Sequence, residues 1–149
     1  MATATGVFPV FNNVFKVKTS ASDTTKKTIA EMESFSVSVD GTLEEWTPME
    51  AEGWGHALMT GKKITISMSG KRSIGDDGND YIAGLAWKTG QDCNSEFEWT
   101  FPSGATLTMP CVIDVKTPGG GDSTNVDKLE FDIHSNGKPT FTEATTGGG

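Results

Sequence analysis

Five segments of this chain alternate apolar and polar residues with a period of two, which is the pattern of a β-strand with one buried face. The polar positions are rich in Ser and Thr, which suit a pleated surface. The alternation predicts a mainly β fold built from half-buried strands. The five segments are residues 34–39, 63–69, 96–101, 106–115 and 129–134.

Turn sequences separate these segments. Pro102-Ser-Gly-Ala predicts a tight hairpin between the third and fourth strands, and Asn136-Gly predicts a turn before a last short strand at residues 139–142. Asp40-Gly41 predicts that the first strand ends in a turn.

A single flanking helix is predicted at about residues 77–89. Asp76 and Asp77 supply an N-cap and an acidic first turn, and Gly90 supplies a stop. One stripe of the helix is apolar and should pack on a sheet face. Its members are Tyr81, Ile82, Leu85 and Ala86.

The composition along the chain predicts three parts. Residues 1–28 are a partly flexible N-terminal arm, 29–143 the β domain, and 144–149 a disordered end. The arm contains Phe8, Phe11 and Phe15, which predict docking either on the chain's own domain or on a neighbour.

Residues 41–61 show no sustained period, and we predict a long loop there. Trp46 and Trp54 have large apolar side chains, which are not expected on a loop that faces only water. They therefore predict a contact, either with the chain's own sheet or with another molecule.

Acidic residues exceed basic ones by 20 to 12, a net charge of −8. This balance excludes a conventional nucleic-acid binder, which needs a basic stripe, and it disfavours an anionic membrane surface. The excess is concentrated between Thr28 and Gly61, a window without Lys or Arg. Its acids are Glu31, Glu33, Asp40, Glu44, Glu45, Glu50 and Glu52.

No apolar run approaches the roughly 18 residues of a membrane-spanning helix. Residues 1–6 lack the charged start and apolar stretch of a secretory signal, so we expect the protein to stay in the cell that makes it. Cys93 and Cys111 fit neither a disulfide scaffold nor a zinc site, and predict buried free thiols.

Motifs of catalysis or metal binding are missing. His56 and His134 have no ligand spacing, the acids between Asp76 and Asp80 are explained by helix capping, and no nucleophile elbow or phosphate loop occurs. Glu96 and Glu98 share one strand face, unlike a glycosidase pair that flanks a cleft. We expect no enzyme, no cofactor and no metal.

Residues 53–142 resemble the tail tube proteins, or major tail proteins, of long-tailed bacteriophages and related prophages. The resemblance covers about two thirds of the chain and rests on short sequence segments that occur in the same order. These segments are Gly53-Trp-Gly-His-Ala-Leu-Met-Thr-Gly-Lys-Lys, Gly78-Asn-Asp-Tyr-Ile-Ala-Gly-Leu-Ala-Trp, Glu98-Trp-Thr-Phe-Pro-Ser-Gly-Ala, Pro118-Gly-Gly-Gly-Asp-Ser-Thr and Asn136-Gly-Lys-Pro-Thr-Phe.

The resemblance implies a β-sandwich with one flanking helix, contributing to the inner barrel of a tube. It implies hexameric rings that stack into a tail tube, made in the host bacterial cytoplasm and carried in the virion. DNA passes through without specific binding, and no membrane is involved. The implied partners are other copies of the subunit, a tape-measure protein in the lumen, a tail terminator, and a baseplate or tip complex.

Under this resemblance residues 41–61 correspond to the loop that contacts the next ring. The candidate apolar anchors are Trp46, Trp54 and Leu58. Candidates for an acidic lumen wall or an acidic seam between rings, with plain outer surface as the rival interpretation, are Glu33, Glu44, Glu45, Glu50, Glu52, Glu96 and Glu98. Candidate basic partners are Lys62, Lys63, Lys71 and Arg72.

Two other functions stay open at this point. A monomeric β-sandwich binding module, carbohydrate-binding or immunoglobulin-like, would use its loop aromatics to stack on a ligand. Another ring-forming protein of the same fold, such as a tail terminator, would share the assembly but not the position in the tail.

Overall fold

Eight strands and one α-helix build the part of the chain that this computed structural model describes, residues 6–19 and 25–143. Short 3-10 turns lie at Val10–Asn12, Met49–Ala51, Leu85–Trp87 and Gly90–Cys93. The regular elements are β1 (Val14–Val17), β2 (Lys27–Thr28), β3 (Met32–Trp46), β4 (His56–Lys71), α1 (Asp77–Gly84), β5 (Asn94–Thr100), β6 (Thr106–Thr117), β7 (Lys128–Ser135) and β8 (Thr140–Thr142).

All strand pairs are antiparallel, and the strands follow the order β2-β1-β5-β6-β7-β4-β3. β8 pairs with the first residues of β6, from Thr106 to Thr108, on the side where β7 has already ended. Each of the five predicted strands and the predicted last short strand is confirmed, as is the mainly β fold with one flanking helix.

The sheet curls until its two ends meet through side chains. β1 and β3 lie near opposite ends of the strand order, yet the rings of Phe15 and Phe35 are 4.6 Å apart, edge to face. Phe35 also meets Trp99 of β5 at 5.4 Å. No backbone pairing joins β1 to β3 in the part of the chain that the structure describes. The result is a sandwich-like rolled sheet and not a closed barrel.

The core lies inside this roll and is built by the predicted alternation. Along β6 and β7 every second residue is buried, and the residues between them face outward. Full burial of such a side chain contributes about 1.5–3 kcal/mol. Fully buried members include Val17, Ile66, Phe97, Met109, Ile113, Leu129, Phe131 and Ile133.

The helix covers one side of the core. The Asp76 carboxylate accepts a hydrogen bond from the Asn79 amide at 2.9 Å, which confirms the predicted N-cap. Ile82 and Leu85 are buried against the sheet residues, as the apolar stripe predicts. The helix ends at Gly84, five residues before the predicted limit, and the 3-10 turn Leu85–Trp87 follows it.

The amide side chain of Asn79 is completely buried and ties three segments together. Its Nδ2 donates to the carbonyl oxygens of Ala30 (3.1 Å) and Lys71 (2.9 Å). Its Oδ1 accepts from Arg72 Nη1 (2.9 Å) and from the Ser73 amide (3.0 Å). The helix is thereby fastened to the end of β4 and to the turn that precedes β3.

The predictions of a turn at Asp40-Gly41 and of a long loop at residues 41–61 are wrong. β3 runs through Gly41 to Trp46, β4 begins at His56, and only residues 47–55 connect them. Gly41 stays in the strand because the Met59 side chain lies over it, with the sulfur 2.6 Å from where a Cβ would be. Here the glycine provides space for a neighbour within a strand, and it does not mark a turn.

Part of the predicted N-terminal arm belongs to the sheet. β1 pairs with β5, and Phe15 is buried, whereas Phe11 is exposed. Residues 1–5, 20–24 and the predicted disordered end at 144–149 lie outside the described residues. The division into three parts stays a prediction.

Both cysteines are free and buried, as predicted. Burial, with a smaller contribution from the charge of Glu96, raises the pKa of Cys111 to about 12.

We expect Asn79→Ala to lower the free energy of unfolding by about 3 kcal/mol, because it leaves buried backbone carbonyls without a donor. Urea unfolding followed by circular dichroism measures this. Asn94→Ala, at an exposed position, is the matched control and should change stability by less than about 0.5 kcal/mol. Equal effects of the two substitutions would contradict the role assigned to Asn79.

We expect Cys111 to make the fold less stable at alkaline pH. The folded pKa lies above the unfolded one, so both states are protonated at neutral pH, and above about pH 9 only the unfolded state gains by ionising. Between about pH 9 and pH 10 the wild type should lose roughly 1 kcal/mol more stability than Cys111→Val. Urea unfolding of both proteins at the two pH values checks this, and parallel losses would refute it.

Candidate assembly surface

The distal part of the β3–β4 hairpin leaves the sheet as a two-stranded ribbon, residues 39–64. β4 pairs with β7 only from Thr65 to Lys71, and its earlier residues pair with β3 alone. The Ser135 hydroxyl, at the end of β7, accepts a hydrogen bond from the Ile64 amide at 2.9 Å. This bond marks the point where the ribbon departs from the sheet.

The ribbon makes almost no contact with its own domain. Among residues 41–63 none is buried, and only Pro48, Ala51 and Gly61 are partly buried. At about 3.3 Å per residue, the six steps from Asp40 to Trp46 carry the chain about 20 Å along the strand direction. The ribbon therefore presents both of its faces to the surroundings.

A β-bulge shifts the pairing within the ribbon by one residue. Thr42 lies opposite Gly61, but Leu43 lies opposite Met59, so Thr60 is left over. The Thr60 hydroxyl donates to the Thr42 carbonyl oxygen at 3.1 Å. The bulge changes the phase of the alternation along β4, which explains why this part of the sequence shows no sustained period.

One face of the ribbon continues the apolar face of the sheet. In the register, Val39, Leu43 and Met59 follow on the same side as the buried Ile66. These three side chains are exposed, although they are of the residue types that fill the core. The sheet thus extends an apolar face beyond the point where its own domain covers it.

The candidate anchors lie at the far end of the ribbon. Trp46, Trp54 and Leu58 are 46%, 79% and 59% exposed, so they are not packed on their own sheet. Trp46 faces His56, with ring centroids 6.0 Å apart.

The connection at the tip is ordered by backbone geometry. The 3-10 turn Met49–Ala51 is followed by Glu52 and Gly53, both with positive φ (55° and 92°). The Trp54 amide then donates to the Ala51 carbonyl oxygen at 3.1 Å. Met49 and Trp54 are displayed beside the carboxylates of Glu50 and Glu52.

A two-stranded ribbon with exposed apolar residues is marginal in water by itself. Exposed apolar surface bordered by charged groups is typical of protein interaction sites. The ribbon is therefore the candidate functional site, and its chemistry is that of a binding surface.

The predicted acidic residues fall into two groups. Glu44, Glu45, Glu50 and Glu52 are on the ribbon and make no ion pair with any described residue. Glu33 lies in the sheet and pairs with Lys71 at 2.9 Å.

Glu96 and Glu98 share a lysine of their own chain. Lys26 Nζ is 2.8 Å from Glu96 and 4.0 Å from Glu98. The hydrogen bond from Lys26 lowers the pKa of Glu96. Their charge is therefore partly offset within the subunit.

The four predicted basic partners also fall into two groups, those paired within the chain and those that are exposed. Lys71 is held by Glu33, and Arg72 by Asp80 at 2.7 Å, a hydrogen bond that lowers the pKa of Asp80. Lys62 and Lys63 are exposed at the base of the ribbon. The structure thus leaves only two of the four predicted cations available to a neighbour.

Sequence reasoning missed a groove where the two ends of the sheet meet. Its volume is about 310 Å³, and its apolar lining comes from β1, β3 and the segment before β1. No local signal could have shown it, because its walls are far apart in sequence. The main apolar lining residues are Val10, Phe11, Val14, Phe15, Met32 and Phe35.

Within the described residues, no group of three or more His, Cys, Asp or Glu side chains is placed to hold a metal ion. The helices of that same part of the chain include none with the length and apolar character needed to cross a membrane.

Comparison with solved structures shows what this fold is similar to. One chain, from the tail of an empty gene transfer agent particle refined helically with C6 symmetry, superposes with a TM-score of 0.72 and 19% identity. It covers 91% of this chain and 99% of its own. A chain from the virion of a native gene transfer agent particle superposes with a TM-score of 0.69, at the same identity and coverage.

No protein family and no curated protein matches the chain. The fold is therefore that of chains in gene transfer agent particles, over nearly the whole length of both proteins. This confirms the fold that the tail tube resemblance implies.

We expect Trp54→Asp to leave the free energy of unfolding within about 0.5 kcal/mol of the wild type, because the side chain is exposed. Trp99→Ala should cost about 3 kcal/mol, since Trp99 packs against Phe15 and Phe35 and donates to Asn13 at 2.8 Å. Urea unfolding of the monomer compares them, and a large loss for Trp54→Asp would mean that the ribbon is part of the folded core.

Proposed function

We propose that this chain is the tail tube subunit of a phage or phage-like particle, a structural and non-enzymatic virion protein. It self-assembles into hexameric rings, and the rings stack into a tube that conducts DNA. The observation that carries the proposal is the exposed ribbon on a fold shared with a chain of a C6-symmetric tail.

The ribbon supports self-assembly on physical grounds. Its apolar residues are already ordered by backbone hydrogen bonds, so little conformational entropy is lost when they are buried. Tryptophan is enriched at the centre of protein interfaces. Trp46, Trp54 and Leu58 are the anchors that we propose for contacts between rings.

The β3 edge of the sheet also supports self-assembly. β3 is 15 residues long, and among the described residues it pairs with β4 alone, so its other side offers backbone groups to a neighbour. A long unpaired edge is a liability in a monomer, and assembly covers it.

The outer face of β3, β4, β7 and β6 is the lumen wall that we propose. Ser36 lies opposite Ser67, Ser67 opposite Asp132, and Asp132 opposite Asp114. The carboxylates repel phosphates, and the Lys116 ammonium of this face is paired with Asp114 at 2.6 Å, which limits the positive charge that could retain DNA. Glu96 and Glu98 lie opposite Pro110 and Thr108 on the same outward face, and Lys26 offsets part of their charge.

The remaining parts of the proposal follow from the resemblance. The partners are a tape-measure protein in the lumen, a terminator at the end nearest the head, and a baseplate or tip complex at the other end. The subunit is made in the host bacterial cytoplasm and functions in the tail of the virion.

We expect the purified protein to form rings or tubes at high concentration, visible by negative-stain electron microscopy. Trp46→Asp and Trp54→Asp should each block stacking while the fold is kept, because a charge replaces an apolar anchor. Trp87→Asp is the matched control, since Trp87 is 80% exposed but lies after the helix.

A protein that stays monomeric under all conditions would contradict the proposal and favour the binding module. Normal stacking by both ribbon variants, or an equal block by the control, would remove the ribbon from the interface.

A further inference from the structure

We propose that the ribbon of one copy docks on the N-terminal edge of a second copy, formed by residues 7–18 and 26–28. This rests on the proposed function and adds which two surfaces meet. The N-terminal edge is the end of the sheet opposite β3, so the contact is head-to-tail. A head-to-tail contact uses a different surface on each copy, so it can repeat from one copy to the next. Such repetition builds a ring or a filament.

The two surfaces have opposite charge. The ribbon contains five acids and two lysines, a net charge of −3. The N-terminal edge contains four lysines, and its neighbour β5 adds two glutamates, which leaves +2. The lysines of the edge are Lys16, Lys18, Lys26 and Lys27.

About half of the charge of the four lysines remains after the two glutamates of β5 are counted, since Lys26 pairs with Glu96 and Lys16 lies opposite Glu98. Of the four lysines, only Lys26 forms an ion pair with a described residue. By contrast, Lys71 and Arg72 are already held by carboxylates of their own chain. An acidic ribbon therefore meets less competition at the N-terminal edge than at the end of β4.

Both surfaces also carry exposed apolar residues beside their charges. Val7, Val10 and Phe11 are exposed on the segment that leads into β1. The groove between the sheet ends adjoins them, and it provides a recess for an apolar side chain from outside. The ribbon offers Trp54 and Met49 next to Glu50 and Glu52.

The opposite wall of the groove explains why the β1 side is the docking side. That wall belongs to β3 and carries Glu31 and Glu33. Glu33 is neutralised by Lys71, but Glu31 has no ion pair with a described residue. An acidic ribbon is repelled from this wall and attracted to the β1–β2 side.

The test uses two full-length charge-reversed variants. Glu50→Lys/Glu52→Lys makes the ribbon tip basic, and Lys18→Glu/Lys27→Glu makes the N-terminal edge acidic. Each variant alone should raise the critical concentration for assembly by at least about tenfold, because attraction becomes like-charge repulsion. Light scattering and negative-stain microscopy give the readout.

An equimolar mixture of the two variants should assemble within about threefold of the wild-type critical concentration. In the mixture each basic ribbon finds an acidic edge, and each acidic ribbon finds a basic edge. Restoration by mixing is expected only when these two surfaces meet.

The matched control is Lys88→Glu/Lys138→Glu, which reverses the same amount of charge at exposed sites away from both surfaces. It should assemble like the wild type. Urea unfolding verifies that each variant is folded. If Lys18→Glu/Lys27→Glu does not fold, Lys27→Glu replaces it, since Lys27 lies opposite the uncharged Val17.

Assembly of both variants at wild-type concentrations would overturn the docking while leaving the tube function in place. Failure of the mixture to assemble, with both variants folded, would overturn it as well. Failure of the wild type itself to assemble would overturn both proposals.

Discussion

The contact of Phe15 with Phe35 is the interaction on which the rest of the structure depends. An antiparallel sheet with one apolar face must cover that face, and this sheet does so by curling until its ends touch. The helix then closes one side, and Asn79 fastens it there through four hydrogen bonds. Because the ends meet through side chains and not through the backbone, a groove and two unpaired edges are left.

The ribbon lies outside this roll because β7 ends at Ser135. From that point β3 and β4 have only each other, and their apolar face runs on without a cover. The same alternation that fills the core thus produces an exposed surface further along the same two strands. The ribbon therefore presents an apolar surface that its own domain leaves uncovered.

The charged side chains also differ in whether they are paired within the subunit. Glu33, Glu96 and Asp80 have cations of their own chain within 2.9 Å, so they contribute little to attraction between subunits. Among the residues that the structure describes, the ribbon acids and the lysines of the N-terminal edge form no such ion pair, with Lys26 as the exception. The net charge of the whole chain conceals this separation into an acidic and a basic surface.

Local sequence patterns were sufficient to predict most of the strands, the start of the helix and one turn. The period-two alternation specified five strands, Asp76 specified the start of the helix, and Pro102-Ser-Gly-Ala specified the turn, since each depends on residues close in the chain. The tail tube resemblance also indicated the fold correctly.

What residues 41–61 form, and which charges are free to interact with a neighbour, depends on contacts between segments that are distant in the sequence. A glycine beneath Met59 and a bulge at Thr60 concealed the strands, because both make sense only across the β3–β4 pair. Likewise, Lys71 and Arg72 follow the ribbon in sequence, but their partners come from β3 and the helix. Contacts between residues distant in the chain depend on how the sheet curls, and no local pattern encodes them.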